Sequence, residues 1–193
     1  TLKSSTAGDT VDLGTAANGA ANTLQFTNAE LQSITATSLT IGAGGAGAIT
    51  VSGDVTPGSG GGGALVTVAL VTGSTITGTA GGIIETNLAL TAGGTINFTD
   101  AQTDVDNLAV SDAGQTVTFT DADGFAIAAV VAAATVTGVT AATFNMNTTN
   151  GAVTDDAALT VPGTATMAAG TAGDITLNEA ANKFGTVVIT TGR

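Results

Sequence analysis

The sequence contains no cysteine, no histidine, no tryptophan and no tyrosine, and only two prolines. Without cysteine the chain forms no disulfide and offers no thiolate nucleophile. Without histidine it cannot assemble a Ser-His-Asp or Cys-His catalytic arrangement from its own residues. These absences exclude most nucleophilic catalysis, and the lack of cysteine leaves the redox compartment open.

Positive charge is also scarce. The three basic residues, Lys3, Lys183 and Arg193, stand against 15 acidic ones, which gives a net charge of −12. Nucleic-acid binding requires Lys or Arg against phosphate, and an acidic protein repels a polyanion. We therefore predict no nucleic-acid partner. The longest apolar run, 125–136, is shorter than the roughly 20 residues of a membrane helix, which predicts no membrane insertion.

Small and β-branched residues supply most of the apolar content. Hydrophobic residues make up 43% of the chain with only six Phe, alongside 28 Gly. Val, Ile and Thr favour strands, whereas Gly and Asn favour turns. At 9% charged residues, the chain is too apolar for a disordered acidic tail. The composition predicts an all-β protein with a narrow, finely layered core.

Two sequence blocks recur within the chain. Residues 87–92 (NLALTA) return at 107–112 (NLAVSD), and residues 94–101 (GTINFTDA) return at 115–122 (QTVTFTDA). The shift is 20 residues in the first block and 21 in the second. Such a period is typical of stacked repeat architectures.

Two further copies extend the repeat. One runs from Ile175 to Thr190 and aligns with 96–111, and 26–29 is a partial copy. Within each unit apolar and polar residues alternate, so one strand face is apolar and needs a neighbour to bury it. We predict a single-stranded parallel β-helix (β-solenoid) with coils of roughly 20 residues, forming one domain over 1–193. The predicted inward column comprises Leu24, Phe26, Ile49, Val51, Leu88, Leu90, Ile96, Phe98, Leu108, Val110, Val117, Phe119, Ile175, Leu177, Val187 and Ile189.

An antiparallel β-sandwich is the alternative fold, because its strands also alternate. The dipeptides Asn18-Gly19 and Asn150-Gly151 are typical of tight hairpins. Two segments interrupt the repeat. The Gly-rich stretch 57–63 predicts a flexible loop, and the Ala-rich stretch 130–134 is compatible with a strand or a short helix.

Residues 42–47 (GAGGAG) match the dinucleotide-binding pattern G-x-G-x-x-G. That function requires a helix directly after the glycines, but 48–52 (AITVS) has the composition of a strand. We interpret the glycines as a turn between strands. No lysine follows any glycine cluster, so a phosphate-binding Walker loop is excluded, and we predict no cofactor.

Acidic residues concentrate between 100 and 123. Candidate calcium ligands are Asp100, Asp104, Asp106, Asp121 and Asp123, since calcium prefers several carboxylate oxygens at loop spacing. Their spacing fits no EF-hand and no nonapeptide calcium repeat. The alternative is a solvated row of corner residues that keeps the surface soluble.

Paired carboxylates are the remaining catalytic option, as in some β-helical enzymes that cut polysaccharides. Asp155-Asp156 and the acids between 100 and 123 are the candidates. The chain lacks the basic and aromatic side chains that grip a sugar, and Asp155-Asp156 lies at a predicted turn. We predict that the protein is not an enzyme.

Threonine alternates with apolar residues in several segments. Examples are 35–37 (TAT), 116–118 (TVT) and 164–166 (TAT). A flat face of regularly spaced Thr suits ice, and a glycan is the other ligand of this binding hypothesis. Thr is also an ordinary outward-facing strand residue.

Several blocks resemble the stalk repeats of filamentous-haemagglutinin-like bacterial surface exoproteins. They are 39–42 (LTIG), 48–53 (AITVSG), 87–94 (NLALTAGG) and 173–177 (GDITL). The resemblance implies a right-handed β-helix, export through an outer-membrane transporter, and a role in adhesion, biofilm or fibre formation. The secretion domain of that family, with its Asn-Pro-Asn motifs, has no counterpart in this sequence.

These patterns together predict a structural segment of a secreted or cell-surface adhesin or extracellular fibre, of bacterial origin. Residues 1–5 hold no initiator Met and no apolar signal segment, so we expect a processed piece of something longer. Neither end carries an obvious polar cap. End strands such as 185–191 are therefore expected to pair with another copy or with covalent neighbours in a repeat array. A host or glycan ligand is the other expected partner.

Overall fold

The computed structural model describes residues 1–15, 19–59 and 65–191. Strands dominate this part of the chain, which confirms the predicted all-β class. None of its helices has the length and apolar character needed to cross a bilayer. The elements are β1 (Thr10–Leu13), β2 (Thr23–Phe26), α1 (Asn28–Gln32), β3 (Ser38–Ala43), β4 (Ile49–Val51), β5 (Thr67–Thr72), β6 (Ile76–Gly78), β7 (Ile84–Thr91), β8 (Ile96–Phe98), β9 (Asp104–Asp121), β10 (Phe125–Ile127), β11 (Ala129–Val131), β12 (Thr135–Thr137), β13 (Val139–Thr148), β14 (Val153–Asp155), β15 (Leu159–Ala168), β16 (Ile175–Thr176) and β17 (Lys183–Thr191).

Neighbouring strands run in the same direction. Fifteen strands form one large sheet that curls into a half-barrel, and its strand pairs are parallel. The only antiparallel pair in the described part of the chain is β11 with β12. An antiparallel sandwich is therefore excluded, because its core pairs would run in opposite directions.

The sheet consists of three stacks of parallel strands, which we call ladders, and the chain contributes a strand to each of them in turn. Ladder 1 contains β3, β5, β7 and the first half of β9. Ladder 2 contains β2, β1, β4, β6, β8 and the second half of β9. Strands β13, β15 and β17 bend and continue both ladders. Ladder 3 contains the starts of β7 and β9, then β10, β14 and β16.

The internal repeat sets the register of these ladders. Residues 87–91 lie beside 107–111, and 96–98 lie beside 117–119, as the sequence shift predicts. The alignment of the third copy is wrong. Ile175 pairs with Val153 in ladder 3 and not with a strand of ladder 2. The sequence alignment failed because apolar and polar residues alternate in a similar way on all three ladders, so a segment of one ladder also aligns with a segment of the next.

The core is a continuous column of inward-facing residues. Most predicted members are fully buried, including Leu88, Leu108 and Phe119. Val187 and Ile189 are 46% and 55% exposed, so their predicted burial is wrong. The reason is that β17 has a partner on only one side in the described residues, namely β15.

Layer-by-layer size matching keeps the core narrow. The rings of Phe98, Phe119 and Phe125 stack with centroid distances of 6.3 and 5.3 Å. Gly78 lies beside this stack, and a Cβ there would approach the Phe98 ring to 2.6 Å. A glycine is therefore needed next to the bulkiest layer, since interiors are packed to crystal-like density.

A β-hairpin, formed by β11 and β12, interrupts ladder 1. Ile127 pairs with Leu108 and Val139 pairs with Val110. Between these two pairs the chain advances by twelve positions, from 127 to 139, whereas the neighbouring strand β9 advances by two, from 108 to 110. Of the stretch 130–134, Val130 and Val131 form a strand, whereas 132–134 form the bend between β11 and β12, and the excess residues leave the sheet as the hairpin.

The glycine pattern at 42–47 forms a turn, as predicted. Gly42, the second-last residue of β3, has φ +88°, and strand β4 follows without an intervening helix. The predicted loop at 57–63 begins with a single 3-10 turn at Pro57–Ser59. The remainder of that loop prediction lies outside the described residues.

The N-terminal end of ladder 2 is formed by β2 and not by β1, which the sequence did not predict. Strand β2 pairs with the edge of β1 opposite β4, so β1 has neighbours on both sides. Helix α1 follows, begun by a capping box between Thr27 and Glu30. Leu31 on this helix is completely buried in the core. The sequence alone did not indicate that β2 lies on the outer side of β1, because β2 has the same alternation as a strand that continues the stack in the usual direction.

Candidate functional site

The acids predicted as calcium ligands have structural partners. Asp121 is fully buried and accepts hydrogen bonds from the N–H groups of Val105 at 3.0 Å and Asp123 at 3.3 Å. Burial raises the pKa of Asp121 to about 7. Asp100 accepts from the N–H of Gln102 at 2.8 Å and closes a turn.

Asp104 and Asp106 face solvent beside one another. Burial and the charges of Asp123 and Asp106 raise the pKa of Asp104. No group of three or more acidic residues in the described ranges is placed to hold a metal ion. Calcium binding stays a prediction.

An open cleft of about 430 Å³ lies next to these acids and is lined by Gly58, Glu85, Asp104 and Asp106, among others. Glu85 is 8% exposed, and burial raises its pKa. The polar walls of the cleft hold carboxylates but no basic or aromatic residue among the lining positions. It therefore lacks the groups that would hold a sugar or an anion.

Asp112 is a buried acid that belongs to the acidic stretch 100–123 but was not among the predicted calcium ligands. It is 1% exposed, and both carboxylate oxygens lack a hydrogen-bond partner within the described structure. Its neighbour across the ladder is Ala141, which is also buried. Burial raises the pKa of Asp112 to about 6. The position lies in the middle of β9, where alternation alone predicted a turn.

Asp155 and Asp156, the predicted catalytic pair, have different surroundings. The buried carboxylate of Asp155 accepts from the N–H of Asn178 at 2.7 Å and from the Nδ2 of Asn182 at 2.6 Å. It also accepts from the N–H of Glu179. Asp156 is exposed. Asp155 therefore holds the loop between β16 and β17, and the two side chains do not form a shared site.

The outer face of ladder 2 carries a regular row of polar residues, which we call the Thr/Asn row. Each member pairs directly with the next across the ladder, so neighbours are about 4.8 Å apart. The row is Asp12, Thr50, Thr77, Asn97, Thr118, Asn145, Thr166 and Val188. A second row runs alongside it, where Thr116 pairs with Thr143 and Thr164 pairs with Thr186.

Only part of this arrangement was predictable. The threonines of 116–118 and 164–166 face outward on ladder 2, with Val117 and Ala165 between them buried in the core, whereas 35–37 precedes β3 and lies outside any strand. The sequence missed the continuity of the row because Asn replaces Thr in some layers and the spacing between layers varies.

Comparison with known proteins adds one match. Residues 114–191 match the model of a family described as repeats of unknown function (DUF5649). The match covers less than half of the chain and extends from β9 to β17. No curated protein matches, and no solved structure matches. The family description names repeats and no activity, so the resemblance to filamentous-haemagglutinin-like stalks stays a prediction.

Proposed function

We propose that the chain is a non-catalytic structural segment of a β-solenoid, in which each passage through ladders 1, 2 and 3 is one coil of a single-stranded parallel β-helix. One observation carries the proposal: strands about 20 residues apart in sequence lie side by side, parallel and in register. Each layer has an apolar face that only the next layer buries. The match to a family of repeats is consistent with this architecture.

The setting we propose is a secreted or cell-surface bacterial adhesin or extracellular fibre. The resemblance of the repeat blocks to exoprotein stalks supports this setting, as does a chain without cysteine, with a net charge of −12 and few basic residues. A rigid stack of layers suits a spacer or fibre, because its length grows with the number of repeats and not with a larger core.

Strand β17 is the surface through which the stack would extend. Its outer edge is unpaired in the described residues, and Val187, Val188 and Ile189 are exposed along it. Unpaired edges with apolar side chains are templates for a further strand. We propose that this edge receives the next layer, from a neighbouring copy or a covalent neighbour.

The double variant Val187→Lys/Ile189→Lys tests this edge. We expect the unmodified protein to form linear assemblies as its concentration rises, seen by electron microscopy and sedimentation, and the variant to remain dispersed because two charges at the edge repel a second strand. Val66→Lys is the matched control, since Val66 is equally exposed at 46% but lies away from β17. Dispersed monomers of the unmodified protein at every concentration would contradict end-to-end stacking.

Ice binding is the second candidate function, and the Thr/Asn row favours it. On β9, β13 and β15 two hydroxyl or amide groups follow each other about 6.6 Å apart along the strand, and across strands the row repeats about every 4.8 Å, which makes a two-dimensional array. No lysine or arginine lies in the row, and its one acid is Asp12 at the end. None of the six Phe is exposed, so the surface lacks rings on which a sugar could stack. An ordered water lattice fits this face better than a glycan.

Thermal hysteresis with Thr118→Lys tests the ice hypothesis. A bulky charge in the middle of the array should abolish the activity, because it lifts the face from a flat lattice. Thr154→Lys is the control, since Thr154 is exposed on ladder 3 and should leave the activity unchanged. Absence of hysteresis in the unmodified protein, or an equal loss in both variants, would reject the hypothesis.

A further inference from the structure

The hairpin of β11 and β12 lies on the outside of ladder 1 and covers it. Ala69, Ala89 and Ala109 point outward from the sheet, yet they are at most 4% exposed. Together with Val130 they form a second apolar cluster, separate from the core. Outward alanines of a sheet are normally open to solvent, so the hairpin accounts for their burial.

The hairpin crosses the strands instead of extending them. Its tip reaches β3, where the N–H of Ala133 lies 3.4 Å from the Oγ1 of Thr40, 93 residues away in sequence. Three strand spacings separate β9 from β3, which is roughly 14 Å, and five extended residues from Ala129 to Ala133 span about the same length. The hairpin is thus a strap laid across four neighbouring strands.

The covered face carries no charge. Its outward positions on β3, β5, β7 and β9 are Ser38, Thr40, Gly42, Thr67, Ala69, Val71, Asn87, Ala89, Thr91, Asn107, Ala109 and Ser111. The protein as a whole repels its copies through its net charge of −12. On this face two copies would meet without like-charge repulsion, and the small alanines would let two flat sheets approach closely.

Val130 is the most deeply buried contact of the strap, and Ala132 and Val136 pack against the same alanine cluster. Val130 is 1% exposed and is the hairpin residue that seats among the alanines, whereas Val131 on the opposite side of the same strand is 65% exposed. Near the tip the contact is incomplete, with a cavity of about 250 Å³ lined by Thr40, Ala69 and Ala133, among others. Removing the Val130 contact would therefore release the face.

We propose that the hairpin is a strap that hides an uncharged, alanine-lined face of ladder 1 from a second copy of this chain. With the strap seated, the sides of the molecule do not associate, and contacts between copies are left to the ends of the stack. With the strap lifted, two copies pack face to face through the same residues, which is the symmetric, isologous contact typical of dimers.

Val130→Asp tests the proposal, with Val131→Asp as the matched control. The charge at 130 cannot be buried among alanines, so the hairpin should lift and the mass in solution should double, measured by light scattering with Val187→Lys/Ile189→Lys present in every variant to block end-to-end stacking. The same charge at 131 points to solvent and should leave the mass unchanged. Hydrogen exchange would report the lifted hairpin through loss of protection in β11 and β12.

A deletion gives a second, independent test. Removing 129–138 joins Ala128 to Val139, so that 127, 128 and 139 follow the path of 108, 109 and 110 on the neighbouring strand. We expect this variant to be a dimer and the same deletion with Ala89→Asp to be a monomer. Monomers for both Val130→Asp and the deletion would overturn the proposal, as would association that Ala89→Asp fails to relieve. If the deletion variant does not fold, the comparison of Val130→Asp with Val131→Asp decides the outcome.

Discussion

Asp112→Ala is expected to stabilise the protein at neutral pH by about 2 kcal/mol. The carboxylate of Asp112 is buried without a hydrogen-bond partner in the described structure, and its neighbour across the ladder is already an alanine, Ala141. An unpartnered charge in the core is costly, whereas an alanine continues the row. Urea unfolding of the two proteins at pH 8 measures the difference.

The gain from Asp112→Ala should shrink in acid. The pKa of Asp112 is raised from an ordinary value of 3.8 to about 6 in the folded state. The folded protein therefore binds more protons than the unfolded chain between these values, and its stability falls as the pH rises from about 4 to about 6. Below pH 4 both states are protonated, and the cost of burying the charge disappears.

Asp121 adds to the same pH dependence. Its pKa, raised to about 7 mainly by burial, extends the fall in stability to about pH 7, and this part should persist in Asp112→Ala. The control Asp106→Ala changes an exposed acid on the same strand and should alter stability little. Equal stability of Asp112→Ala and the parent at pH 8 would show that the carboxylate has partners that the structure does not provide.

Asp155→Ala is expected to destabilise the protein by roughly 2 kcal/mol, because it removes a buried acceptor and leaves three part-buried donors unpaired. The donors are the N–H groups of Asn178 and Glu179 and the side-chain amide of Asn182. The loss should be local at first, since these residues position the loop that leads into β17. Hydrogen exchange in β17 should accelerate more than in β7.

Asp156→Ala is the control for this prediction. Asp156 is adjacent in sequence but exposed, and its replacement should change stability by less than about 0.5 kcal/mol. A structural role for Asp155 predicts this asymmetry between the two acids. Equal effects of the two substitutions would contradict the view that the hydrogen bonds of Asp155 hold this loop in place.

The sequence predicted the parts of the fold that depend on alternation. Residues such as Leu88 and Leu108 were placed inside and side by side, because period-two patterning and a 20-residue shift fix both the face and the register. Alternation does not say which ladder a strand joins. That is why Ile175 was assigned to the wrong ladder, even though it packs against the core.

Non-local features escaped the sequence for a different reason. The hairpin leaves ladder 1 after Ile127 and returns at Val139 with inward and outward positions unchanged, so the pattern continues as if nothing had been inserted. The buried Asp112 lies next to an irregularity in β9 at Gly114, which has φ +93°, and a glycine in the sequence does not by itself show on which side the preceding acid is buried. Of the proposed sites, only fragments of the Thr/Asn row were visible, since the row exists only once the layers are stacked.

The placement of β2 outside β1 makes the molecule mechanically directional. Strand β1 is an inner rung, tied to β2 on one side and β4 on the other, whereas β17 is tied only to β15 among the described strands. Tension applied at the C-terminus peels off β17 by opening one seam, whereas tension applied at the N-terminus frees β1 only when its seams to β2 and β4 open together. When the two chain ends are pulled apart, we therefore expect the strands to detach first at the C-terminal end, beginning with β17.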